Sequence, residues 1–158
     1  MAAPATTTRS TPLGKILEDG YSTKIAFARK ADVSFWEKTV KPPGIDGGDP
    51  IDITTMHNTA WRTMVPRNLK TLTESTATVG YDPNVYNHIV ELINQEGAIT
   101  CHFSDGSKLD FFGYLRTFEP SDHSEGENPE ATITITPTHY DPTNDVEAAP
   151  VLTSIAGT

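Results

Sequence analysis

The residues of this chain that are able to do chemistry are scattered. Five histidines stand at His57, His88, His102, His123 and His139. No two have the His-x-x-x-His spacing, and a single cysteine forbids a Cys-x-x-Cys pair, so the sequence carries no zinc motif. Cys101 lies in the strand-like run ITCHF, where alternation sends neighbouring His102 to the opposite face. It reads as a small buried hydrophobe, not an activated nucleophile, and one cysteine excludes an internal disulfide. The acidic stretches 46–49 and 122–127 lack the spacing of an EF-hand loop and read as solvated turns. Asp105 is explained by a turn and Asp110 by an exposed strand face, so they do not read as a catalytic pair. No G-x-S-x-G elbow, P-loop or G-x-G-x-x-G fingerprint is present. The expectation is a protein with no catalytic residues, no cofactor and no metal. Arg62 and Arg67, in NTAWRTMVPRNLKTL, are a different case. A guanidinium pairs well with carboxylates across interfaces, so both are candidate subunit contacts.

Composition narrows the class. A chain of 158 residues fits one domain. Its formal charge of −9 and pI near 4.9 argue against ordinary nucleic-acid binding, which needs dense Lys and Arg. They are compatible with a surface that nucleic acid passes without sticking. The apolar runs fall short of the ~20 residues that span a bilayer. The opening MAAPATTTRSTPLG has no apolar h-region, so no secretory leader is expected and assembly in a cytosol is.

The elements that must position these residues are mostly strands. Ile25 and Phe27 share one face of a first strand. Val33, Phe35 and Trp36 open a second that runs toward Val40. KPPGIDGGDP follows, comprising Lys41, Pro42, Pro43, Gly44, Ile45, Asp46, Gly47, Gly48, Asp49 and Pro50. It is too dense in Pro and Gly for regular structure and reads as a long loop or the tip of an extended hairpin. IDITTM (51–56) is a third strand. LTESTATVGY (72–81) is a fourth, with Ala77, Val79 and Tyr81 on one face. One helix follows: Asp82 as N-cap, Pro83 at the first position, and Val85, Ile89, Leu92 and Ile93 as an apolar stripe. Gly97 is the expected left-handed terminus. AITCHF and KLDFFGYLRTF flank the turn SDGS as a hairpin. Leu109, Phe111, Gly113 and Leu115 fall on one of its faces. EATITIT (130–136) then alternates without a slip: Ala131, Ile133 and Ile135 face a core, while Thr132, Thr134 and Thr136 face water, either an enclosed wet interior or the exterior. The sum is a mainly β (α+β) fold, an antiparallel β-sandwich or barrel with one flanking α-helix, an extended loop and flexible terminal arms. The arms are expected at 1–14 and 143–158, around a domain at 15–142. Val151, Leu152 and Ile155 are able to dock.

This ordered set resembles the tail tube proteins, or major tail proteins, of long-tailed, non-contractile bacteriophages. The resemblance covers roughly residues 15–142 and is carried by GGDPIDITTMHN, PRNLKTLTESTATVGYDP, NVYNHIVELINQEG, AITCHFSDGSKLDFFGYLRTFEP and PEATITITPT. It implies a structural virion protein in the tail, assembled in the host cytoplasm. Homo-hexameric rings would stack into a tube through which DNA passes without specific binding. A tape-measure protein, a tail-tip initiator and a tail terminator would be its partners, and the 41–50 loop would contact an adjacent ring. No additional immunoglobulin-like domain and no membrane contact are expected. Two other readings stay open. One is a monomeric β-sandwich that binds carbohydrate through Trp36, Trp61, Tyr114 or Tyr140. The other is a tail terminator or secretion-tube protein of the same fold.

Overall fold

The computed structural model of the chain describes residues 23–30 and 35–154. Val33 and Ile155 lie outside the described residues.

Strand β1 (Lys24–Phe27) turns its alternate residues Ile25 and Phe27 inward and ends in a short 3-10 turn. Strand β2 (Trp36–Lys41) runs into a long excursion that returns as strand β7 (Ser75–Gly80). The excursion holds four short strands: β3 (Ile45–Asp46), β4 (Ile51–Asp52), β5 (Met64–Val65) and β6 (Thr71–Leu72). Strand β3 pairs with β6, and β4 with β5. Residues 42–74 are therefore one extended hairpin, here called the arm. This corrects the sequence reading of 41–50 in two respects. Lys41 ends β2, and Ile45 and Asp46 form β3, so the stretch is not devoid of regular structure. Its other residues, Pro42, Pro43, Gly44, Gly47, Gly48, Asp49 and Pro50, form the connections of one limb, and the tip lies farther out, at about 53–63. Likewise IDITTM contributes only Ile51 and Asp52 as a strand.

The helix begins as the sequence indicates. Asp82 is extended (φ −119°) and its carboxylate accepts from the Asn84 amide at 2.9 Å. Pro83 opens a 3-10 turn that continues into α1 (Tyr86–Leu92). Ile89 and Leu92 are buried, while Val85 and Ile93 pack half-buried against the core. The helix ends sooner than its apolar stripe suggests. Ile93 leaves helical geometry (ψ 134°), Asn94 takes the left-handed conformation (φ 61°), and the Asn94 amide donates to the Leu115 carbonyl at 3.0 Å. Gly97, the expected terminus, instead begins strand β8 (Gly97–His102).

Strand β8 forms a hairpin with β9 (Lys108–Pro120), closed by Asp105, whose carboxylate accepts from the Ser107 amide at 2.8 Å. Gly106 supplies the positive φ (87°) that this turn needs. Strand β10 (Glu130–Pro137) packs between β9 and β7. The chain finishes with a small β11 (Tyr140–Asp141) and β12 (Val146–Glu147) ladder. Last comes β13 (Val151–Thr153), which pairs with the start of β9. The C-terminal stretch expected as a flexible arm from 143 is therefore partly strand: it docks by backbone pairing at Val151–Thr153, while the Val151 and Leu152 side chains stay exposed.

Among the described residues the main sheet is antiparallel and seven-stranded, in the order β1-β8-β9-β10-β7-β2, with β13 on β9. Its two outer strands meet. The Ile25 amide donates to a Glu37 carboxylate oxygen at 3.0 Å, and the Phe27 and Phe35 rings meet edge-on, 6.0 Å apart. The sheet is thus curled around one core that includes Val79, Ile99, Cys101, Leu115, Ile133 and Ile135, each at most 1% exposed. This is the barrel-like, one-helix β fold read from the sequence.

Candidate functional site

The chemically able side chains are dispersed by the fold into structural roles. Cys101 is fully buried in β8, and burial pushes its thiol up to about 11. The Nε2 atom of His139 accepts the Leu72 amide at 3.0 Å, tying the base of the arm to the end of β10. His123 meets the Tyr81 ring edge-on at 5.3 Å. Asp110 accepts the Thr100 hydroxyl across the β8–β9 ladder. Among the described residues, no three His, Cys, Asp or Glu side chains come together in a way that would hold a metal ion.

What the fold does present is the arm. Its two limbs close at the base, where the Thr73 amide donates to the Gly44 carbonyl and the Gly44 amide donates to the Thr73 hydroxyl, both at 2.8 Å. Its tip is organised by one side chain. Asn58 accepts the Thr55 amide at 3.0 Å and donates to the Trp61 carbonyl and the Thr63 hydroxyl, both at 2.8 Å. Asp52 accepts the Thr54 amide, and hydrogen bonding with Thr54 holds its carboxyl below the ordinary range. Yet among the described residues the arm has almost nothing to pack on. It carries eight of the fifteen exposed large hydrophobic residues among those described, with Met56 and Trp61 nearly fully bare. An isolated two-stranded hairpin is marginally stable in water, and a patch of exposed apolar side chains marks a contact surface.

Of the two arginines singled out in the sequence, Arg62 stands where the tip runs into the returning limb, and Arg67 lies on that limb. Arg62 is 79% exposed, with Nη1 3.6 Å from Asp52. Arg67 is engaged within the arm. Its Nε donates to the Asp49 carbonyl at 2.8 Å, and its side chain packs against Gly48, whose φ of +79° and close neighbour suit only glycine.

The second feature is the outward face of β2, β7, β10 and β9. Ala131, Ile133 and Ile135 are buried as alternation requires, and Thr132, Thr134 and Thr136 point the other way. The register sets Thr132 opposite Thr78, Thr134 between Thr76 and Thr117, and Thr39 opposite Thr78. The result is a plate of hydroxyls bordered by Glu119, opposite Thr132, and by Lys41, opposite Thr76. Thr136 lies at its margin, where its hydroxyl and Arg116 both engage Glu74. Trp36 ends this face, 77% exposed and opposite Gly80. The sequence reading placed Trp36 at the start of a strand but gave no sign of this exposure. A bulge between Glu37 and Thr39 breaks the alternation that would have assigned its face.

Comparison with known proteins bears on this geometry. No family model and no curated protein matches the chain. Solved structures do. A chain of the virion of a native gene transfer agent particle aligns with TM-score 0.61 and 8% identity, over 87% of this chain and 100% of that one. A chain of the tail of an empty gene transfer agent particle, with C6 symmetry, aligns with TM-score 0.59 and 6% identity, again over 87% and 100%. A chain of the six-fold symmetrised anti-feeding prophage baseplate gives 0.57 and 5%, over 85% and 92%. This chain therefore has the fold carried by subunits of those virion, tail and baseplate particles.

Proposed function

We propose that this chain is a non-enzymatic structural subunit of a phage-like tail, forming hexameric rings that stack into a hollow tube. One observation carries the reading: a fold found in six-fold tail particles bears a two-stranded arm whose apolar side chains are left exposed among the described residues. Burial of each such side chain on another subunit would contribute roughly 1.5–3 kcal/mol. The arm, including its 41–50 limb, is assigned to contacts between stacked rings, with Arg62 on its exposed limb. The N-terminal segment 1–14 is assigned to further inter-subunit contacts, whereas Val146–Glu147 and Val151–Thr153 of the C-terminal segment 143–158 are strands of the chain's own fold. The hydroxyl plate of Thr132, Thr134 and their neighbours is assigned to a wet wall of the tube. A wall whose middle is hydroxyls, with Lys41 and Glu119 at its borders, in an acidic protein offers phosphate little binding charge, which suits a conduit for DNA. The tube would belong to a virion tail assembled in the host cytoplasm, with a tape-measure protein, a tail-tip initiator and a terminator as partners. The carbohydrate reading loses support because Trp61 sits at the arm tip and Trp36 at the opposite end of the sheet, so the two form no common platform.

The base of the arm supplies the test. Ile45 and Leu72 are register partners, so 46–71 can be replaced by an Asn-Gly turn while β2 and β7 stay joined. Negative-stain microscopy and light scattering of the natural chain, alone and seeded with tail-tip complexes, are expected to show six-fold tubes. The shortened chain is expected to melt cooperatively and form none. Single isolated rings from the natural chain would indicate a terminator. A natural chain that stays monomeric under both conditions would overturn the reading.

A further inference from the structure

The arm needs a receiving surface, and the register of the sheet shows where a complementary one lies. We propose that the arm of one copy docks on the opposite end of the sheet of a second copy, on Trp36 and the acidic loop 121–129. This rests on the assembly reading above and specifies its contact.

Lys41 pairs with Thr76 at the arm end of β2 and β7. At the other end Trp36 pairs with Gly80, Gly80 with Glu130, and Ala131 with Pro120. Trp36 and the β9–β10 loop therefore share the end away from the arm. That loop carries Asp122, Glu125 and Glu127, all exposed, with no Lys or Arg in it. None of the three makes an ion pair among the described residues, whereas Glu130 at the loop's foot is held by Lys38 at 2.5 Å. The loop has a fixed place, since His123 rests on Tyr81 and the Tyr81 amide donates to the Pro129 carbonyl at 3.0 Å. The returning limb of the arm has the opposite character. Arg62, Arg67 and Lys70 lie along it with no acidic residue between them, beside exposed Trp61 and Leu69. An apolar, cationic limb at one end thus matches an exposed Trp and three carboxylates at the other.

Reach agrees as well. Strands β2 and β7 span about 20 Å at ~3.3 Å per residue, and one limb from 45 to 53 spans up to about 30 Å. The arm can therefore pass its own body. A contact between two different ends of one chain is heterologous, so it propagates from copy to copy and does not close into a dimer.

The test reverses charge on each surface and then on both. The arm set is Arg62→Glu with Lys70→Glu, which spares the internal bond of Arg67. The loop set is Asp122→Lys, Glu125→Lys and Glu127→Lys. Each set alone is expected to raise the protein concentration needed for tubes by about tenfold or more, and the combined chain to recover most of that loss. Recovery also shows that both sets fold. As a second reading, a Trp61→Phe chain leaves Trp36 as the sole tryptophan, and its emission is expected to shift to the blue on assembly. Tubes from the loop set at the natural concentration, absence of recovery in the combined chain, or unshifted Trp36 emission would each overturn this docking site while leaving the tube itself in place. Failure of the natural chain to assemble when seeded would remove both.

Discussion

Gly113 stands where the long strand β9 changes partners. It pairs with Gly97 of β8 on one side and Pro137 of β10 on the other, and it is buried. A Cβ placed there would lie 2.6 Å from the Thr136 carbonyl oxygen and 3.1 Å from the Pro137 Cα. Both obstacles are backbone, so no rotamer change relieves them. A carbon needs roughly 3.2 Å from a carbonyl oxygen, so Gly113→Ala must part the strands by about half an ångström at the end of a seven-pair register. Overpacking of this kind costs about 1–3 kcal/mol. The smaller chain entropy of Ala in the unfolded state offsets about 0.4–1 kcal/mol. The net loss of about 1–2 kcal/mol corresponds to a melting temperature lower by about 3–8 °C for a domain of this size. Thermal and urea unfolding followed by circular dichroism would measure it, at concentrations where the chain is monomeric. Gly47→Ala is the control. It meets nothing within 4 Å and its φ is not positive, so its melting temperature should stay within about 1–2 °C of the natural chain. If Gly113→Ala melted at or above the natural temperature, the close crossing of β9 and β10 would be wrong.

Leu92→Asp would place a charge at a position 2% exposed and is expected to cost at least about 4 kcal/mol, abolishing cooperative unfolding; a retained melting temperature would refute the packing of α1. Cys101 should resist a thiol reagent at pH 8 in the folded chain and react at once in urea. Its folded pKa, about 11 against an ordinary 9.0, is raised, so its contribution is fully present below pH 9 and is lost as pH rises through 11. Between those values the natural chain should lose about 2 kcal/mol more stability than Cys101→Ala, and parallel pH profiles would contradict this. Single Lys substitutions at Thr132, Thr134 and Thr136 should leave folding intact. If the plate faces the lumen, those at Thr132 and Thr134 should reduce tail assembly or infectivity, whereas full tolerance at all three positions would place the plate on the outside.

Much of the body was legible because its cues are local. Alternation at Ile133 and Ile135 assigned their face. Asp82 and Pro83 marked the start of the helix, and Asp105 with Gly106 marked the hairpin turn. The end of the helix was not legible, because a backbone bond from Asn94 to distant Leu115 stops it, and that bond leaves no periodic trace. The same holds for β13 on β9 and for the meeting of β1 with β2, which join segments far apart in the chain. The arm was visible only as Pro and Gly. Two-residue ladders interrupted by Gly47, Gly48 and Pro50 are too short to show a period of two. The 122–127 stretch read correctly as a solvated loop, but its place opposite the arm appears only once the register of four strands is known.

The closure of the arm at its own base has a consequence for how such a chain can change. Gly44 and Thr73 join the limbs, and His139 secures Leu72, before the outer residues are reached. The core that sets stability contains none of residues 45–71. Substitutions along the outer limb therefore carry little folding cost, and the outer limb is free to diversify while the barrel stays as it is. On the proposed docking, the arm's share of affinity is written in residues on which the core does not depend, whereas the receiving Trp36 belongs to the main sheet itself.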